Sequence, residues 1–103
     1  MDVTEKVYKI TSDFPSGEKF GLTNQIRRSA VSIASNIAEG AGRNSDKEFR
    51  NFLGIANGSL NELYTQLILS PKLKLVSEEN INPILNDLME IQKMNYTLIK
   101  KYS

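Results

Sequence analysis

The 103-residue sequence contains no cysteine, no histidine and no tryptophan. These absences exclude disulfides, thiolate nucleophiles, imidazole bases and most zinc sites. Aromatic residues make up only 8% of the chain, which disfavours a platform that stacks sugars or nucleic-acid bases. The chain therefore has few of the side chains from which catalytic and metal sites are usually built.

An excess of charge of one sign and long hydrophobic runs are also absent. The net charge is +1, so binding to nucleic acid or membrane would require a local patch. No run of about 18 apolar residues and no basic-plus-apolar leader occurs, so we expect neither a membrane-spanning helix nor a signal peptide. The length fits one domain, residues 1–103, with a single modest core. We expect a soluble, cytoplasmic protein of bacterial type.

Apolar residues recur at helical spacing in four segments, and no segment alternates as a strand does. Pro71 is expected to end or kink the third helix. The last helix is capped either by Ser77 or by Asn82 with Pro83 at its first helical position. The expected fold is all-α, an antiparallel up-down four-helix bundle whose first helix is short. The first three predicted helices span residues 2–13, Leu22–Glu39 and Asp46–Leu69.

The second predicted helix carries very little charge. Between Leu22 and Gly40 only Arg27, Arg28 and Glu39 are charged, whereas a solvated helix face is normally dense in lysine and glutamate. We therefore expect this helix to be covered on more than one side, by its own bundle and by another subunit.

Polar residues form a stripe beside the apolar arc of the second helix and another beside that of the third. Within one subunit the two stripes would make a hydrogen-bonded seam that sets helix register. Between subunits they would make a specific polar oligomer interface. The sequence leaves both open, and we favour involvement in assembly. The stripe residues are Gln25, Arg28, Ser32, Asn36, Glu39, Glu48, Ser59, Glu62 and Gln66.

Glycines and a capping motif mark the second and third helices. The glycines of the Gly40–Gly42 segment suit a left-handed cap at the end of the second helix. Ser45 and Glu48 have the spacing of a capping box that starts the third helix. Gly54 and Gly58 lie four residues apart on the side away from the core, and we predict that they allow close approach by another helix.

The remaining polar residues do not form a pattern typical of a catalytic or metal-binding site. Carboxylate bundles that hold iron or manganese use Glu-x-x-His, which this chain lacks. The helical serines have no histidine base and no lysine on the same stripe. We therefore predict no catalytic residue, no metal, no cofactor and no small-molecule substrate.

Basic residues gather in sequence around the junction of the second and third helices. They could grip phosphates, and the helix start near Ser45 would add backbone donors. The alternative is a solvated basic rim offset by Glu39, Asp46 and Glu48. The candidate RNA-binding residues are Arg27, Arg28, Arg43, Lys47 and Arg50.

A dense set of motifs covers about residues 8–70. They are Phe14-Pro15, Glu18, Gly21-Leu22, Gln25-Ile26-Arg27-Arg28, Ala30-Val31-Ser32, Ser35-Asn36-Ile37-Ala38-Glu39-Gly40, Gly42-Arg43, Glu48-Phe49, Phe52-Leu53, Ala56, Gly58-Ser59-Leu60, Glu62-Leu63 and Gln66-Leu67. This pattern resembles the four-helix-bundle proteins encoded in 23S ribosomal RNA intervening sequences. That family is similar in fold to the accessory variability determinant of diversity-generating retroelements. The latter resemblance implies a barrel-like homopentamer with a basic surface that engages RNA and a reverse transcriptase.

The chain departs from the family pattern in two places. Family members usually have a longer first helix, with an aromatic-rich segment before the part seen here. We therefore expect either that the present first helix covers the bundle incompletely or that the start of the sequence is displaced. Pro71 lies where the family's third helix often continues. The resulting hypothesis is a non-enzymatic, homo-oligomeric helical bundle that associates with structured RNA or an RNA–protein complex. The alternative is a structural or protein-binding bundle without nucleic-acid affinity.

Overall fold

The computed structural model describes residues 2–18 and 21–103. This part of the chain forms a four-helix bundle and contains no strand. No helix in it is both long and apolar enough to cross a membrane. A 3₁₀ turn, Ser16–Glu18, follows the first helix. The helices are α1 (Val3–Thr11), α2 (Leu22–Ala41), α3 (Asp46–Lys72) and α4 (Glu78–Lys101).

The core lies where the apolar arcs of the four helices meet. The arc predicted on α2 is confirmed, because Ile26, Ala30 and Ile33 are buried. α2 packs on α3 and α3 on α4, while α1 contacts both α2 and α4. Burying these side chains is the main stabilising contribution to a domain of this size. The buried core residues of α3 and α4 are Leu53, Ala56, Leu60, Leu63, Leu67, Ile81, Ile84 and Leu88.

The third helix passes through Pro71 and ends at Lys72, so the predicted end near Leu69 is wrong. Proline lacks the N–H that would donate to the carbonyl four residues earlier, which costs the helix a single hydrogen bond, and the carbonyls of the last turn still find partners. The Leu73 amide donates to the Leu69 carbonyl at 3.0 Å, and the Lys74 amide donates to the Pro71 carbonyl at 2.9 Å. Lys74 then adopts a positive φ of 62°, which turns the chain toward α4.

Ser77 is the N-cap of α4, so the first of the two predicted starts is correct. Its side chain makes no capping hydrogen bond, and Pro83 lies inside the helix rather than at its first position. Glu78 and Glu79 occupy the first turn, where negative charge interacts favourably with the helix dipole.

Gly40 sets the distance between α2 and α3 at their junction. A Cβ atom added to Gly40 would lie 2.7 Å from Phe52 Cβ, which is closer than carbon atoms pack, and in a tight contact of 3.1 Å with Phe49 Cδ1. The predicted left-handed cap is wrong, because Gly42 has a φ of −83°. The glycine at position 40 thus permits close helix approach instead of a special backbone angle.

Candidate nucleic-acid and subunit interfaces

The five predicted RNA-binding residues do not form one patch. Arg27 and Arg28 lie in the second turn of α2, about 20 Å along the helix axis from its end at Ala41. Arg43, by contrast, follows that end of the helix. Sequence proximity suggested a cluster, but the length of α2 separates its members.

Arg27 joins α2 to α1. Its Nε donates a hydrogen bond to Thr11 Oγ1 at 2.8 Å, and its guanidinium lies 4.7 Å from the centre of the Tyr8 ring. A second donor lies 3.5 Å from the Tyr8 carbonyl oxygen. These contacts commit the side chain to helix packing rather than to a ligand.

Arg50 joins the start of α3 to the end of α4. Its guanidinium donates a hydrogen bond to the Tyr102 carbonyl oxygen. The Phe49 and Tyr102 rings meet edge to face, with centroids 5.2 Å apart. An aromatic pair and a charge-assisted hydrogen bond therefore hold these two helix ends together.

This contact brings lysines from α4 into the basic region. Lys100 and Lys101 are exposed in the last turn of α4, directly before Tyr102. Sequence analysis missed them as candidates because they lie far along the chain from Arg43; only the pairing of helix ends could have revealed them. We define the basic end of the bundle by five cations: Arg43, Lys47, Arg50, Lys100 and Lys101.

Negative charges accompany the cations at the basic end. Arg43 donates to Glu39 Oε1 at 2.6 Å, and its guanidinium lies 5.0 Å from the centre of the Phe52 ring. Asp46 and Glu48 occupy the first turn of α3. Their carboxylates already complement the helix start, so a phosphate here would depend on side-chain cations.

A groove opens beside this junction. Its volume is about 450 Å³, and Phe49, Leu98 and Tyr102 form its apolar side. Ser45 lies on its polar side and caps α3, with the Glu48 amide donating to Ser45 Oγ at 3.0 Å. This bond confirms Ser45 as the N-cap of α3. The return bond of the predicted capping box, from the Ser45 amide to the Glu48 carboxylate, is not among the hydrogen bonds of the described residues.

Three residues of the predicted polar seam bond to one another within the chain. The hydroxyl oxygens of Ser32 on α2 and Ser59 on α3 lie 2.8 Å apart. Asn36 Nδ2 donates to the Ser32 carbonyl at 2.8 Å and to its hydroxyl at 3.0 Å. The centre of the stripe is therefore an internal hydrogen-bonded seam.

The rest of the stripe is divided between a groove, the core and the basic end. A polar groove of about 310 Å³ lies between α2 and α3, with exposed Arg28 and Glu62 among its lining residues. Gln66 is buried, and in the described part of the chain its Oε1 has no hydrogen-bond partner. Glu39 and Glu48 belong to the basic end. The other residues that line the polar groove are Gln25, Ser29, Ser32 and Ser59.

A sequence model of the 23S rRNA-intervening sequence protein family matches residues 1–97. The chain belongs to this family. It is also similar to a crystal structure of a protein of unknown function from the S23 ribosomal protein family of Bacteroides thetaiotaomicron VPI-5482. The two chains are 30% identical, with a TM-score of 0.80 over 96% of this chain and 99% of the other. No curated protein matches the chain. The family resemblance found in the motifs is confirmed.

Two glycines of this family member lie on an open surface of α3. A Cβ atom added to Gly54 or Gly58 would meet no atom of the described chain within 4 Å. The predicted close helix approach is therefore not made by α1, α2 or α4, and contact with another subunit stays a prediction.

An apolar groove lies between α2 and α4 beside the start of α1. Its volume is about 210 Å³, and Ala34, Ile37, Ile91 and Met94 are among its lining residues. α1 has only nine residues against 20 in α2, so it spans about 14 Å of a helix about 30 Å long. Within the described residues, α1 therefore leaves this part of the surface between α2 and α4 open.

Proposed function

We propose that this member of the 23S rRNA-intervening sequence family is a non-enzymatic, homo-oligomeric, cytoplasmic helical bundle that associates with structured RNA or an RNA–protein complex. The observation that carries the RNA proposal is the hydrogen bond from Arg50 to the Tyr102 carbonyl. This contact places cations from the start of α3 and from the end of α4, which are distant in sequence, at one end of the bundle. Clustered cations bind the phosphate backbone with little regard to base sequence.

An antiparallel up-down order of helices is part of the proposal. The four-residue connection Gly42–Ser45 between α2 and α3 supports it, because so short a link favours antiparallel neighbours. Contacts between α3 and α4 support it as well, because residues later in α3 contact residues earlier in α4. These contacts are Arg50–Tyr102, Asn57–Asn95 and Asn61–Gln92.

The proposed assembly is a ring of copies, with a pentamer favoured by the family resemblance. The charge-poor surface of α2 supports it, because Val31, Ala34 and Ala38 are exposed without a charged residue among them. We expect light scattering to give a native mass near five times the subunit mass of 11.6 kDa. A mass of one subunit at every concentration tested would remove the homo-oligomer from the proposal.

Removing two cations of the basic end should weaken RNA binding and its dependence on salt. For the wild type, log affinity for an RNA hairpin should fall linearly with log salt concentration, by about 0.7 to 0.9 per phosphate contacted. Arg43→Ala combined with Lys47→Ala should make that slope shallower by roughly 1.5, because two phosphate contacts are lost. The measurement is a fluorescence-anisotropy titration at several salt concentrations.

The matched control for the RNA titration removes two cations elsewhere. Lys9→Ala combined with Lys72→Ala makes the same change in net charge at exposed sites of α1 and the end of α3. This variant should keep the wild-type slope. Equal slopes for both double variants would contradict a local site, and absence of binding at low salt would remove the RNA proposal altogether.

The second candidate is a protein-binding bundle without nucleic-acid affinity. The apolar groove beside Ala34, Ile37, Ile91 and Met94 favours it, since exposed apolar grooves commonly receive another helix. If the protein forms oligomers but does not bind the RNA hairpin at low salt, the result would support this second candidate.

A further inference from the structure

The facing parts of α2 and α3 are poor in charge, and the polar groove between them is lined by two charged residues, Arg28 and Glu62. Residues 29–38 of α2 include none, and residues 51–71 of α3 include only Glu62. Arg28 lies immediately before the uncharged part of α2, and its neighbour Arg27 is committed to Thr11 and Tyr8. A surface that is poor in lysine and glutamate but retains an arginine has the composition of a protein–protein interface.

Arg28 and Glu62 have opposite charges, yet they are not paired with each other. Both are exposed and both line the same polar groove. Within residues 2–18 and 21–103, the ion pairs are Lys6–Asp87, Arg43–Glu39 and Lys93–Glu90. The groove therefore presents one cation and one anion, on different helices, to a partner.

The two charges lie at the same height along the bundle. The contact between the Ser32 and Ser59 hydroxyls sets the reference level. In the antiparallel order, Arg28 is about 6 Å from that level along α2 and Glu62 is about 4.5 Å from it along α3, in the same direction. Their heights differ by about 1.5 Å, so each could face the other charge at equal height on a second copy.

Equal height has a consequence for symmetric assembly. A rotation axis parallel to α2 and α3 leaves every residue at its own height, whatever the number of copies. When α3 of one copy lies beside α2 of the next, Glu62 of the first copy comes level with Arg28 of the second. The opposite charges are thus self-complementary in a two-fold dimer and in a cyclic ring.

We propose that the polar groove between α2 and α3 is a contact surface between copies of this chain, in which Arg28 of one copy pairs with Glu62 of another. The inference rests on the homo-oligomer proposed above and identifies its interface. Gln25, Ser29 and Ser59 supply polar groups around the pair, which a desolvated ion pair needs. The open surface at Gly58 lets the second copy approach α3 closely.

Charge reversal tests the pairing. Arg28→Glu alone and Glu62→Arg alone each place like charges opposite each other, and like-charge contacts across an interface are strongly unfavourable. Each single variant should raise the apparent dissociation constant by on the order of a hundredfold. An equal mixture of the two variants should form mixed assemblies, because a contact between different variants again joins a cation to an anion. An even-numbered assembly can consist of such contacts alone, whereas a ring of five keeps one like-charge contact and should be recovered only in part. Native mass spectrometry measures the mass and composition of each species, and circular dichroism shows that each variant is folded.

The controls reverse charge at exposed sites away from the groove. Lys9→Glu and Glu79→Arg make the same changes in net charge and should assemble as the wild type does. If both groove variants also keep the wild-type mass, this inference is overturned while the homo-oligomer stands. If the wild type is a monomer, the homo-oligomer itself fails. If the Arg28→Glu, Glu62→Arg double variant assembles but the mixture of single variants does not, the pairing is within one chain and the inference is again overturned.

Discussion

Gly40→Val is expected to lower the free energy of unfolding by about 2 to 3 kcal/mol, the upper part of the range of about 1 to 3 kcal/mol for overpacking. The added Cβ would lie 2.7 Å from Phe52 Cβ, an atom held by its own backbone. Neither atom can rotate away, so α2 and α3 would have to separate where they are closest. Urea denaturation at a fixed protein concentration measures the change.

The two glycines of α3 provide the comparison with Gly40 of α2. Gly54→Ala should raise the free energy of unfolding by about 0.5 to 1 kcal/mol, because alanine is the better helix former and nothing in the described chain lies in the way. Gly58→Ala makes the same change in helix propensity but should weaken assembly, because the proposed interface brings a second copy close to this glycine. A Gly40 variant as stable as the wild type would contradict the close approach of α2 and α3. Loss of assembly in the Gly58 variant would instead indicate that a second copy packs closely there.

Asn95→Asp is expected to have the largest effect, a loss of about 3 to 4 kcal/mol at neutral pH. The Asn95 side chain is completely buried and donates from Nδ2 to Asn57 Oδ1 at 2.8 Å. In the described part of the chain its Oδ1 has no hydrogen-bond partner. A carboxylate of the same shape would thus be buried with at most one donor, the amide of Asn57 after it flips.

The loss caused by Asn95→Asp should depend on pH with a definite sign. Burial raises the folded-state pKa of the introduced carboxyl above its unfolded value of about 3.9. The folded state then holds the proton more tightly, so stability falls as pH rises from about 4 to the folded pKa and is flat above it. Urea denaturation between pH 3 and pH 8 checks this prediction.

Asn86→Asp is the control for that experiment. Asn86 is exposed on the same helix, so the same chemical change there should cost little at any pH. Equal losses for the two variants would contradict the burial of Asn95. A loss confined to Asn95→Asp would support the view that the Asn57–Asn95 hydrogen bond helps to set the register of α3 and α4.

The sequence by itself determined the helices, their buried faces and the family. The buried arc at Ile26, Ala30 and Ile33 and the cap at Ser45 were predicted because they depend on residues three or four positions apart. Each such interaction is complete within one or two turns of helix. The motifs that indicated the family are likewise short and local.

Only the tertiary structure decided which helix ends lie together. The contacts of Arg27 with Thr11 and Tyr8 are one example, because these partners are on α1, 16 or more residues earlier in the chain. Lys100 and Lys101 lie at the basic end of the bundle because Tyr102, which follows them, packs on the start of α3. These contacts depend on the axial offset between neighbouring helices. Long-range packing sets this offset, and residue spacing within one helix does not encode it.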